Sequence, residues 1–123
     1  MKLTILIVEN DYHNYLYLAE LLSETGSTIL HAQNGKEAVT LCTRNSEISL
    51  VFMDIKMPVM DGVEATKLIR MIRPNLPIIA QTAYALNNEI AKFSYIFDGY
   101  ITKPINEAEL KDEVHKFVYL PFE

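Results

Sequence analysis

The sequence predicts an α/β fold, a three-layer, doubly wound, five-stranded parallel sheet in (βα)5 order. Three observations predict it. Short apolar, β-branched runs recur at residues 3–8, Thr28–Ala32, 50–53, Ile78–Thr82 and 98–102, and stretches with helical spacing separate them. Two of the runs, LTILIV and LVFM, are nearly unbroken, as strands buried on both faces of a parallel sheet are. The connections are short, which suits βα units, and 123 residues suit one domain spanning 1–123 with no room for a second.

The first strand, residues 3–8, runs into Glu9-Asn10-Asp11, three oxygen-bearing side chains in a row. A helix is predicted over 14–23, where Tyr15, Leu18, Ala19, Leu21 and Leu22 recur at helical spacing and Gly26 lies just beyond. Thr28–Ala32 is a weaker strand and is expected at an edge. Asn34-Gly35-Lys36-Glu37 has capping-box spacing, and Ala38, Val39, Leu41 and Cys42 give the helix behind it an apolar stripe.

The chain is organised around residues 49–62, SLVFMDIKMPVMDG, a buried strand that ends on Asp54. Pro58 and Asp61-Gly62 punctuate the loop that follows. Asp61-x-x-Glu64 repeats the helix-start signal ahead of Ala65, Leu68, Ile69 and Ile72. Pro74 and Pro77 bracket a turn, and Ile78–Thr82 is a strand ending on a hydroxyl. A fourth helix is expected over 86–97, and the fifth strand over 98–102 stops at Lys103-Pro104. Asn106-x-x-Glu109 is a third capping box, with Leu110, Val114, Phe117 and Val118 carrying a last helix to the terminus.

Composition excludes several classes. A net charge of −5 argues against nucleic acid, whose phosphates call for basic clustering. The lone Cys42 excludes an internal disulfide and a cysteine-based zinc site, and it is expected to pack rather than react. No stretch has the length of a membrane span, and the apolar start is too short for a signal peptide, so no membrane contact and a cytoplasmic location are expected.

Four strand ends converge on one edge of the predicted sheet, bringing Glu9, Asn10, Asp11, Asp54, Thr82 and Lys103 together. In open α/β sheets the carboxyl edge carries binding and chemistry. Carboxylates with an amide suit a hard divalent cation such as Mg²⁺, which keeps several waters. Lys103 and the Thr82 hydroxyl suit phosphoryl oxygens. Asp54 is then either a ligand or a nucleophile that accepts a phosphoryl group as an acyl phosphate. The plainer alternative is a Lys103–Asp54 pair that only stabilises a crowded edge. A flavin-type phosphate site is excluded locally, because Glu9 and Asp11 repel a phosphate, and no G-x-G-x-x-G or G-x-x-x-x-G-K occurs.

The stretches ILIVEND, AQNGKEA, MDIKMPVMDGVEATKLIR, PIIAQTA and DGYITKPI, in this order, resemble the receiver domain of the two-component response-regulator family, a flavodoxin-like (βα)5 fold. The resemblance covers essentially the whole chain. It implies a phosphorylation-dependent signalling switch in which Asp54 is phosphorylated from a histidine kinase or a histidine-containing phosphotransfer protein. It implies a Mg²⁺ pocket of Glu9, Asn10, Asp54 and the backbone carbonyl of Lys56. Thr82, Lys103 and the Ala83 N–H would bind the phosphoryl group, and Tyr100 would turn inward with Thr82 as the switch. It also implies a cis bond between Lys103 and Pro104. Such a domain catalyses its own phosphorylation and dephosphorylation and turns over no separate substrate. The Glu-first acidic pair, Asn14 and the MPVMDG signature are most similar to receivers of hybrid histidine kinases, so kinase domains fused in a full-length protein are expected, with room for a homodimer.

The chain departs from the family at Asn10, where most relatives carry Asp, and at Gln81, where relatives tend to be apolar. Tyr12, Tyr15 and Tyr17 crowd the first helix, and Tyr12 and Tyr15 are candidates for partner docking. Tyr84 is a candidate gate over Asp54. Met57 and Met60 are expected to pack locally, and His13, His31 and His115 share no metal spacing. Two readings therefore stand, a phosphorylatable switch and a constitutive protein-binding module with a weakened, unused pocket. Asp54, Thr82 and Lys103 favour the first, and Asn10 alone favours the second.

Overall fold

The computed structural model describes residues 3–83 and 94–122. Five strands, β1 (Thr4–Val8), β2 (Thr28–Ala32), β3 (Ile48–Asp54), β4 (Ile78–Thr82) and β5 (Gly99–Thr102), form one sheet in the order β2-β1-β3-β4-β5. Every pairing is parallel. β2 is at an edge, as its weaker apolar run predicts, and β3 is central with six of its seven residues buried. The strand order reverses at the β1–β3 boundary, and the crevice at the carboxyl ends of such a pair is where open α/β sheets bind ligands.

Strand alternation divides the core in two. Leu6, Val8, Val51, Met53, Ile78 and Ala80 pack on one face against Ala38 and Cys42 of α2 (Gly35–Arg44) and Ala65 and Ile69 of α3 (Gly62–Ile72). Ile5, Ile7, Leu50, Phe52, Ile79 and Ile101 pack on the other against Leu18 and Leu22 of α1 (Tyr12–Ser23) and Leu110 and Val114 of α4 (Glu107–His115). Met57 and Met60 pack locally on the first cluster, and Cys42 is buried, as expected. Burial pushes the Cys42 thiol up to about 11, against the weaker pull of Arg73.

All three helix-start signals act as caps. Asn34, Asp61 and Asn106 accept from the N–H groups of Glu37, Glu64 and Glu109 at 2.9, 2.9 and 3.0 Å.

Two elements differ from expectation. α4 ends at His115, where Lys116 and Phe117 switch to tighter i→i−3 bonds to Glu113 and Val114. Pro121 disfavours helix just beyond, and Phe117 and Val118 still pack on the core from the irregular tail. Of the helix expected over 86–97, residues 86–93 lie outside the described residues. Ser94–Ile96 is a 3-10 turn, and Phe97 has already left it. No helix among the described residues is long and apolar enough to cross a membrane.

Candidate functional site

Each functional side chain stands at the carboxyl end of a strand. Glu9 follows β1 and is 1% exposed. Its backbone is held from two sides, with its N–H donating to Ala32 O at 3.0 Å and its carbonyl accepting from His31 Nε2 at 2.8 Å. The His31 ring is stacked on Tyr15 at 3.7 Å, so an edge-strand histidine and an α1 tyrosine together brace the acid. Glu9 Oε1 accepts from Asp11 N–H at 3.2 Å, and Oε2 accepts from Lys103 Nζ at 2.9 Å.

Asp54 is the last residue of β3 and is 7% exposed. Its backbone is packed under the start of α3, where Gly62 N–H donates to Ile55 O at 2.8 Å. The loop between them is closed by Gly35 N–H donating to Met60 O at 3.0 Å, which brings the NGKEA and MPVMDG stretches into contact. Val59 turns this loop with φ at 70°, a left-handed conformation unusual for a β-branched residue.

Lys103 follows β5, where its N–H donates to Thr82 O at 2.8 Å and its bond to Pro104 is cis. Its ammonium lies 2.9 Å from Glu9 Oε2 and 3.2 Å from Asp54 Oδ2, so two buried carboxylates share one cation. Burial pushes the Asp54 carboxyl up to about 6, and the negative charge of Glu9 adds to this while Lys103 opposes it. Burial works to lower Lys103, but its hydrogen bond to Glu9 and the charges of Asp54 and Glu9 outweigh it and hold the ammonium above its ordinary range.

A pocket of about 170 Å³ opens beside this triad, lined by Asp54, Lys56, Gln81, Thr82, Ala83 and Lys103 among others. The donors present fit a hard cation of the Mg²⁺ kind. Among the described residues no three His, Cys, Asp or Glu gather to hold a metal. Mg²⁺ asks for less, one or two carboxylates with neutral oxygens and water. Glu9 and Asp54 would be those two carboxylates, and a cation between them would relieve their mutual repulsion.

The predicted site residues assemble unequally. Glu9, Asp54 and Lys103 meet directly, and Lys56, Thr82 and Ala83 line the pocket. Asn10 is exposed at the end of β1. Asp11 does not turn to the acidic cluster. It caps α1, accepting from His13 N–H at 2.9 Å and Asn14 N–H at 3.2 Å, so the helix starts at Tyr12 rather than at 14. Tyr100 on β5 is half-buried, its hydroxyl enclosed and its ring edge-on to Phe97 at 5.9 Å. Tyr12 is 61% exposed, and Tyr15 is half-buried against His31. Tyr84 lies outside the described residues. Sequence reasoning missed the Glu9–Lys103 bond, the bracing by His31, and Asp11 as a cap. Only the last had a local signal, an Asp immediately before a helix.

Comparison with known proteins gives a consistent result. The family model for the response regulator receiver domain matches residues 5–115. The chain is 36% identical over 122 residues to the sensor histidine kinase GacS of Pseudomonas protegens, covering 94% of this chain and 13% of that protein's length. Its structure is similar to the receiver domain of a sensor histidine kinase from Pseudomonas aeruginosa with a magnesium ion coordinated in the active site cleft. That match has a TM-score of 0.86 and 29% identity, and it covers 95% of this chain and 98% of the other. It is also similar to the receiver domain of a Saccharomyces cerevisiae response regulator co-crystallised with its histidine phosphotransfer protein, with a TM-score of 0.83 and 29% identity over 94% and 88% of the two chains.

Proposed function

The chain belongs to the response-regulator receiver family and is homologous to receivers of hybrid histidine kinases, and from that premise we propose that Asp54 is its phosphoacceptor. The observation that carries this is the shared ammonium. Lys103 lies within 3.2 Å of the Asp54 carboxylate at the mouth of a pocket that also presents Thr82 and Ala83. The carboxylate attacks phosphorus, an Oδ–P bond forms as the donor's P–N bond breaks, and the donor histidine leaves with the electron pair. Lys103, the Thr82 hydroxyl and the Ala83 N–H then bind the phosphoryl oxygens.

Mg²⁺ suits this pocket, with Glu9, Asn10, Asp54 and the Lys56 carbonyl as its holders, and when bound it neutralises phosphoryl charge. A histidine kinase or a phosphotransfer protein is the donor in this reading, with Tyr12 and Tyr15 of α1 at its docking face. Tyr12 and Leu16, 61% and 42% exposed and one helical turn apart, present apolar surface there. Thr82 and Tyr100 are the switch, shifting the balance between two existing arrangements rather than creating a new fold. Residues 1–123 act as one receiver domain, either standing alone or joined to kinase domains.

Acetyl phosphate with Mg²⁺ tests the acceptor by intact mass. Wild type gains one phosphoryl group, and Asp54→Asn gains none. Equal labelling of both overturns the assignment, and an unlabelled wild type supports the constitutive binding module instead.

A further inference from the structure

Gln81 stands beside the acceptor and is used by nothing described so far. Its register partner in the sheet is Asp54, and paired residues of parallel strands point to the same face. Its other neighbours on that face are apolar, Ile79 two residues before it and Ile101 across on β5. The side chain is fully buried, and it lines the pocket together with Asp54, Thr82 and Lys103. Its backbone is pinned, because its carbonyl accepts from Ile55 N–H at 3.3 Å. Among the described residues, neither Nε2 nor Oε1 of the side chain has a hydrogen-bond partner.

Such a group is costly. A buried amide without partners forfeits its hydrogen bonds to water, and an apolar side chain of the same size fits the same space without that loss. The apolar alternation of Ile79 and its neighbours calls for such a residue at position 81. A buried polar group of this kind requires an explanation, and the pocket supplies one. In the resting state Lys103 is held by Glu9 and Asp54, so neither carboxylate needs a further donor. An acyl phosphate on Asp54 adds three acceptor oxygens and draws the ammonium away from Glu9. Nε2 then has an acceptor and Oε1 a donor within the same pocket.

We propose that Gln81 is a positioning residue for the phosphorylated pocket, its buried amide unpartnered beside Asp54 at rest and hydrogen-bonded once Asp54 carries a phosphoryl group. The inference rests on Asp54 being the acceptor. Gln81 then weakens the resting state and strengthens the phosphorylated one, and both effects bias the switch in the same direction.

Gln81→Leu, measured with beryllium fluoride and Mg²⁺ as the stable phosphoryl mimic, tests it. The variant should melt higher than wild type without the mimic and bind the mimic about tenfold more weakly. In wild type the Gln81 side-chain NH₂ signal, assigned by its loss in the variant, should move downfield and gain protection from exchange when the mimic binds. A merely structural role raises the melting temperature and leaves mimic affinity unchanged, and that result overturns the proposal. Acetyl phosphate labelling of wild type and Asp54→Asn in the same preparations separates the two levels. If wild type takes no label on Asp54, the acceptor reading fails and this inference with it. If wild type is labelled but Gln81→Leu binds the mimic as tightly, only the role of Gln81 is lost.

Discussion

A Cβ added to Gly62 would overlap the carbonyl oxygen of Asp54 and lie 2.9 Å from its carbonyl carbon. The first turn of α3 is therefore seated directly on the backbone of Asp54, and any side chain at 62 drives the two apart. Since the obstacle is backbone, it cannot rotate aside. Gly62→Ala should cost about 1–3 kcal/mol as an overpacking substitution. It should also slow acetyl phosphate labelling, because Asp54 moves relative to Lys103. Chemical denaturation checks the first and intact-mass time courses the second. An Ala variant as stable and as readily labelled as wild type would show that α3 shifts freely.

The parts of this architecture that sequence alone reveals are those set by neighbours along the chain. Asn34, Asp61 and Asn106 each stand three residues before a glutamate, and each caps a helix, because a cap needs only its own first turn. Ile78–Thr82 is a strand over those same five residues because Pro77 bounds it and every residue is apolar or β-branched except Gln81. Asp11 shows the limit. Its adjacency to Glu9 and Asn10 suggests one acidic cluster, yet the chain turns there and commits its carboxylate to α1. The last helix shows another, since Phe117 and Val118 keep helical spacing beyond His115 although the backbone has tightened and left the helix. The Glu9–Lys103 bond spans 94 positions, and no local pattern encodes it. It follows only once the sheet brings the ends of β1 and β5 to one edge.

Asp54 gives the stability of the fold a defined pH dependence in metal-free buffer. Its carboxyl is pushed up to about 6 in the folded chain from the ordinary 3.8 of an aspartate, chiefly through burial. A raised acid binds its proton more tightly when folded. Its contribution is therefore fully present below about pH 4 and is lost as pH rises through about 6. Asp54→Asn mimics the neutral form at every pH. The variant should be more stable than wild type at pH 8 by about 1–2 kcal/mol after allowance for solvent screening. The gap should shrink toward zero as pH falls to 4. Melting curves of both proteins in chelator across this range decide it, and a constant gap would assign the difference to packing instead.

Val59 carries the strain in the loop between β3 and α3. It is 77% exposed with φ at 70°, so it loses backbone energy there and gains little burial. Left-handed backbone costs an L-residue roughly 1–2 kcal/mol, and glycine avoids that cost but loses more chain entropy on folding. Val59→Gly should therefore stabilise the fold by about 0.5–1 kcal/mol, or a few degrees in Tm for a domain of this size. Differential scanning calorimetry of the pair measures it. A lower Tm in the glycine variant would mean that the valine side chain contributes packing which its exposure does not suggest.

Asn10 presents an amide rather than a carboxylate just past β1, two residues beyond Val8, the last buried residue of that strand. The amide oxygen still suits a hard cation, but as a neutral ligand it attracts Mg²⁺ less than a charged one. An added charge at this position acts through solvent, since the residue is exposed. The gain on Asn10→Asp should therefore fall near the lower end of about 1–3 kcal/mol, or closer to ten- than a hundredfold in affinity. The same charge would repel Glu9 and Asp54, which already share a single ammonium. Without metal, Asn10→Asp should melt lower than wild type, and saturating Mg²⁺ should reverse the order. Calorimetric titration of both proteins, with melts at zero and saturating metal, separates the two effects. Equal affinities would place the missing ligand elsewhere, and Asp11 is the poorest candidate because its carboxylate is already committed to the N–H groups of His13 and Asn14. A water held by Glu9 would then be the oxygen that substitutes for position 10.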